Sequence, residues 1–144
     1  MTKVFYWSPF ISKIATPKAV INSAISIKKY SKGKIEPSII NLFNEWDYYF
    51  EDISENNLNV YNLFKIKKNI KLPDNGFLQS RFSFFLIFIL SFFPLLRLLK
   101  KKNPNYLIIH LNTSLPLILL WLFKFKTKFI LRISGKPRLS FFRK

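Results

Sequence analysis

Cysteine is absent from this 144-residue chain. Disulfide scaffolds, thiolate metal sites and thiol nucleophiles are therefore excluded, and a reducing cytoplasm is compatible with the sequence. Glycine is scarce, at 3 residues, and histidine occurs once, at His110. Acidic residues almost vanish from the second half: residues 65–144 hold Asp74 alone against 17 Lys/Arg, while residues 1–64 hold six Asp/Glu against seven Lys/Arg. The start, "MTKVFYWSPF", has one Lys, a short mixed run and no small-residue cleavage site, so it does not read as a signal peptide. No internal repeat and no low-complexity tail is visible.

What is present is a basic, phenylalanine-rich chain with a formal charge of +17 and 17 Phe. Abundant Lys, Asn, Ile and Phe are also typical of AT-rich coding, so part of the lysine excess reads as coding bias. The two halves carry net charges of +1 and +16. The strongly basic half is also the more apolar one. That pairing favours an anionic membrane surface over nucleic acid, whose modules set basic residues among exposed polar and aromatic ones. Between Arg81 and Arg97 lie 15 uncharged residues. As a helix they cover roughly 22 Å, short of the ~30 Å hydrocarbon core. The length suits a buried or interfacial helix, with tilted insertion through Leu98 and Leu99 left open.

Periodicity predicts an α/β chain. Residues 3–10 read as a first strand, nearly continuous in apolar side chains and ended by Pro9. A helix follows, with Thr16 as N-cap, Pro17 at its first position and Gly33 past its end. Residues 37–44 and 58–64 read as strands, separated by an acidic loop or short helix. Asp47, Glu51, Asp52 and Glu55 on that stretch read as solvated. The basic segment with Lys65, Lys67, Lys68 and Lys71 reads as a loop with a Pro-Asp-Asn-Gly turn. Residues 77–102 form a long apolar helix kinked at Pro94. Residues 106–112, 114–125 and 128–135 read as strand, helix and strand. Alternation with continuously apolar strands predicts a Rossmann-like, mostly parallel sheet with helices on both faces. Ligands of such sheets bind outside the carboxyl ends of the strands, here near Ser8, His110 to Asn112, and Ser134-Gly135.

Three segments carry a resemblance. "KVFYWSPF" with "KAVINSAISI", then "KKNPNYLIIHLNTSLPLILLWL", then "KFILRISGKPRL", are similar to the N-terminal domain of glycosyltransferase family 4, enzymes of the GT-B fold. The similarity covers nearly the whole 144 residues. Two departures stand out: the loop after the first strand lacks the glycines common in the family, and Ser134 stands where many members carry His. The resemblance implies a retaining, metal-independent sugar transferase. Its N-terminal domain binds mainly the acceptor. Its C-terminal domain binds the nucleotide-sugar donor with a paired-glutamate motif. Nothing in residues 1–144 matches that second domain, so the chain is expected to be the partial N-terminal domain, without cofactor and inactive in transfer by itself.

The candidate residues have two readings each. His110 is either a catalytic or acceptor-binding group, or a strand-end histidine satisfied by backbone. Asn112 and Ser114 either meet ligand or cap the next helix. Ser134, Gly135 and Lys136 either admit a substrate and its phosphate or simply turn the chain. Ser8, Lys13 and Thr16 border the first strand–helix junction, where an anionic group has a helix N-terminus available. Arg132 is either paired or at a sheet edge. Arg97, Lys100, Lys101 and Lys102, beside Phe84, Phe85, Phe88, Phe92 and Phe93, are the candidate membrane-docking rim.

The expected function is transfer of a sugar from a nucleotide-sugar to a lipid-linked or polysaccharide acceptor. The expected place is the inner face of the cell membrane, peripherally bound, with no nucleic-acid partner. The alternative is a small non-enzymatic membrane-associated protein.

Overall fold

The computed structural model describes residues 1–10, 15–64, 77–110 and 114–132. Five strands, β1 (Thr2–Trp7), β2 (Ile35–Asn41), β3 (Asn59–Asn62), β4 (Tyr106–Ile109) and β5 (Lys128–Leu131), form one sheet in the order β3-β2-β1-β4-β5. All four pairings are parallel. The predicted Rossmann-like α/β class is therefore present. β1 lies at the centre, and the chain leaves it first to one side, through β2 and β3, then to the other, through β4 and β5.

Four helices cover the sheet. α1 (Ala15–Tyr30) and the short α2 (Phe50–Glu55) lie on one face, and α3 (Phe77–Lys102) and α4 (Ser114–Leu122) on the other. The strand pleat divides the core accordingly. Val4, Tyr6 and Ile39 pack with Val20, Ile21 and Ala24 of α1. Phe5, Trp7, Ile40, Leu107 and Ile109 pack with Leu95 and Leu99 of α3 and Leu115 and Leu119 of α4. Each Val, Leu, Ile or Phe side chain among these, fully buried, contributes roughly 1.5–3 kcal/mol of transfer free energy.

Local chemistry sets the element ends. α1 begins at Ala15, so Thr16 is not its N-cap as expected but lies in its first turn. Lys28 and Lys29 sit in its last turn, where cations suit the helix dipole. The Lys28 ammonium also donates to the carbonyls of Asn56 (3.0 Å) and Asn57 (2.6 Å), tying α1 to the turn before β3. Lys32 and Gly33, at φ 50° and 77°, turn the chain into β2.

β2 stops at Asn41, three residues before the predicted end. The Glu45 carboxylate takes the N–H groups of Leu42 (3.1 Å) and Phe43 (2.7 Å), which removes them from any ladder. Asn44, at φ 66°, then starts a 3-10 turn over Glu45–Tyr49. The acidic stretch is thus this turn plus α2.

α3 spans the predicted residues 77–102, with Pro94 inside it. One turn earlier the Ser91 hydroxyl donates to the Ile87 carbonyl, a bond that often bends helices. α4 ends at Leu122 rather than 125. Phe125 instead packs on Phe123 and on Phe129 of β5, at 6.4 and 5.9 Å between ring centres, which brings the chain back to the sheet. β5 is an edge strand with Ile130 and Leu131 exposed, in line with the sheet-edge reading of Arg132. Arg132 follows it at that open edge.

Candidate functional site

The register of the sheet aligns its carboxyl ends. Trp7 is opposite Ile40 on one side and Ile109 on the other, Asn41 is opposite Asn62, and Ile109 is opposite Leu131. One residue further along, the ladder still holds: the His110 N–H donates to the Trp7 carbonyl (2.8 Å) and the Arg132 N–H to the Ile109 carbonyl (3.0 Å). Asn62, Asn41, Ser8, His110 and Arg132 therefore form one row across the five strands. Strand pleat puts them on the α1 side, in line with Val60, Ile39, Tyr6, Ile108 and Ile130 of the preceding row. With strands ~4.8 Å apart, the row runs about 19 Å.

The centre of this row is buried. Ser8, Asn41 and His110 are 0%, 2% and 4% exposed. Asn41 Nδ2 donates to Asn62 Oδ1 at 2.8 Å. Ser8 Oγ, Asn41 Oδ1 and His110 Nε2 have no hydrogen-bond partner. Among the described residues seven buried side-chain atoms lack one; five of them, including Asn44 Nδ2 and Trp46 Nε1 in the turn after β2, belong to residues at or just beyond the carboxyl ends of β1, β2 and β4. Such groups are uncommon, because a buried unpaired polar atom costs about 1–3 kcal/mol.

Three groups here have displaced titrations. Burial lowers His110 to about 4, helped by the Arg132 charge. At neutral pH it is an uncharged imidazole, and a weak base. Its ring lies 6.2 Å from that of Tyr6, whose own phenol is raised by burial while sharing a 3.0 Å hydrogen bond with Ser23. Burial pushes the Glu45 carboxyl up to about 7 against the pull of the backbone N–H groups it accepts, and Asp47 adds to the rise.

Of the residues expected at the site, Ser8 and His110 come together as next-strand neighbours. Lys13, Asn112, Ser134, Gly135 and Lys136 lie outside the described residues, as does the basic loop with Lys65, Lys67, Lys68 and Lys71. Thr16 is half-buried in the first turn of α1. Arg97, Lys100 and Lys101 are exposed on α3, and Lys102 is half-buried with its ammonium 4.8 Å from the Tyr61 ring. Sequence reasoning missed Asn41, Asn62 and Glu45. The signal for the first two was an Asn closing each apolar run, in "SIIN" and "NVYN".

The opposite layer has a different surface. Phe82, Phe85, Ile89 and Phe93 form an exposed stripe on α3 at helical spacing. The stripe continues into Arg97 and Lys100. α4 adds Leu117, Ile118 and Trp121, the last 83% exposed. Lys100 reaches across to the Phe123 ring at 4.7 Å. A hollow of about 480 Å³ lies among Phe93, Leu96, Arg97, Lys100 and Lys101. The helix from Arg81 to Lys102 is long and apolar enough to cross a membrane, yet its most apolar window is only 28% buried in the protein.

Among the described residues no three His, Asp or Glu side chains gather to hold a metal ion. No protein-family model, no curated protein and no solved structure matches the chain.

Proposed function

We propose that this chain is the acceptor-side module of a retaining sugar transferase working at an anionic membrane surface. The observation that carries the reading is the buried polar row at the carboxyl edge of a parallel sheet, with Ser8, Asn41 and His110 unpartnered at its centre. This is where open α/β sheets hold ligands, beside the point where the strand order reverses. Unpaired donors and acceptors there give a hydroxyl-rich acceptor something to satisfy. A protein that only attaches to membranes gains nothing from carrying them, which disfavours the non-enzymatic alternative.

In this role His110, neutral near pH 7, orients an acceptor hydroxyl through Nε2 rather than acting as a strong base. Ser8 and Asn41 fix the same sugar from the neighbouring strands. The nucleotide-sugar donor is held mainly by a second domain, as the resemblance to family 4 implies. Membrane attachment is supported by the exposed apolar stripe of α3 and α4, far more than chance single exposures. Its basic end suits anionic headgroups, at about 1 kcal/mol per cation.

The test is binding to vesicles that carry a polyprenyl-phosphate-linked hexose, against the same anionic vesicles without it. Tighter binding to the glycolipid vesicles is expected, with the increment lost in Ser8→Ala and His110→Ala while binding to bare vesicles persists. Equal binding to both vesicles contradicts the sugar-transfer reading.

A further inference from the structure

We infer that the cleft between β3 and the Glu45–Glu55 segment is a subsite for a neutral saccharide, continuing the polar row toward the β3 edge. The inference rests on the sugar-transfer reading and names the chemical class that its acceptor presents. The cleft holds about 610 Å³, and its lining includes Asn41, Trp46, Asp47, Phe50, Asn59 and Asn62. That volume is of the size small-molecule sites occupy.

Three features select a sugar. First, Asn41 and Trp46 line the cleft, are 2% and 1% exposed, and each bears an unpartnered atom. Asn41 Oδ1 can only accept and Trp46 Nε1 can only donate. Hydroxyls, which both donate and accept, suit the two atoms alike. Second, the rim carries further amides and a carboxylate, from Asn59, Asn62 and Asp47. Planar groups of this kind bridge adjacent hydroxyls of a pyranose. The 66%-exposed Phe50 ring beside them offers an apolar face for the C–H side of the sugar.

Third, charge excludes the other polar ligands. The chain has 24 Lys/Arg, but residues 35–64 contain none and carry six Asp/Glu. Among the described residues no cation lines the cleft, and the nearby Lys28 ammonium is taken up by the carbonyls of Asn56 and Asn57. A phosphate or uronate placed there would be desolvated beside Asp47 with no counter-charge among the described lining residues. The basic and neutral demands of a lipid-linked sugar phosphate are thus met on different parts of the molecule: the cations near α3, the neutral ring here.

The test is an amide NMR titration of the chain with methyl β-glucoside, methyl β-galactoside, methyl α-mannoside and N-acetylglucosamine. Glucose 6-phosphate, glucuronate and spermidine serve as charged probes. At least one neutral sugar is expected to give saturable shifts at Asn41, Asp47, Asn62 and the Trp46 indole. The anionic probes are expected to bind at least tenfold more weakly. Phe50→Ala, at an exposed position, should weaken sugar binding several-fold and leave the rest of the spectrum unchanged. The inference is overturned if no neutral sugar perturbs these residues, if glucose 6-phosphate binds as well, if spermidine binds in place of sugars, or if Phe50→Ala has no effect. Shifts at Ser8 and His110 without shifts in the cleft reject the subsite alone. Silence at both places rejects the sugar reading as well.

Discussion

The two faces of the sheet use apolar residues differently. Beneath α1 and α2 they are sealed into a core, and the last row before the carboxyl edge is polar. On the other face α3 and α4 bury one side against the sheet and turn a second apolar side outward. Charge divides in part the same way: the first face mixes the acids around α2 with the lysines of α1, whereas Arg97, Lys100, Lys101 and Lys102 on α3 and Lys124 and Lys126 after α4 have no acid among them. The lesson is that a high apolar content does not by itself measure core size. Much of the phenylalanine in α3 is surface, and a surface that apolar and that basic is built for contact.

Substitutions can break this comparison. The largest effect is expected from the buried side of α3. Leu99→Ala should cost about 2–5 kcal/mol in denaturant unfolding, whereas Phe93→Ser, at a 72%-exposed position, should cost about 0.5 kcal/mol or less. Equal losses would mean that the stripe is core. The reverse ranking is expected on POPC/POPG vesicles. Phe82→Ser, Phe85→Ser and Phe93→Ser together should weaken binding by at least tenfold in co-sedimentation, because each removes roughly 1.5–3 kcal/mol of possible burial. Lys100→Gln and Lys101→Gln should each weaken it about fivefold, with less effect at high salt.

The smallest net effect expected in the wild type is in pH dependence, because two groups of the polar face act in opposite directions. Glu45 holds its proton up to about pH 7 in the fold, against 4.5 for an unperturbed carboxyl. Between those values the folded state binds more protons, so this group lowers stability as pH rises. His110 does the opposite. It titrates at about 4 in the fold against 6.5 unperturbed, so its contribution is lost as pH falls through that window. The two windows overlap with opposite slopes, so stability from wild-type unfolding curves should be nearly flat across the overlap; Glu45→Gln should unmask the loss toward pH 4 and His110→Asn the decline toward pH 7. A variant with the wild-type slope would contradict the assigned burial.

The fold was legible because its strands are continuous apolar runs and its helices carry a 3.6-residue pattern. Residues 77–102 were placed to the residue for that reason. Strand ends were less legible. β2 ends at Asn41, where the Glu45 carboxyl, four residues on, captures the next two N–H groups, a side-chain detail that propensity does not encode. The site was half legible: Ser8 and His110 follow apolar runs at strand ends, but their pairing with Asn41 and Asn62 depends on strand order and register. The cleft beside α2 was not legible at all, since the acidic stretch read as solvated loop.

The central claim is that α3 and α4 face a bilayer while the opposite face keeps the ligand edge. The three tryptophans test it directly, because Trp7 and Trp46 are buried and Trp121 is exposed on α4. Emission should be measured with vesicles of POPG and a bromine-labelled phosphatidylcholine. Strong quenching and a blue shift are expected, both abolished in Trp121→Phe. Unquenched emission at saturating vesicle would contradict the claim.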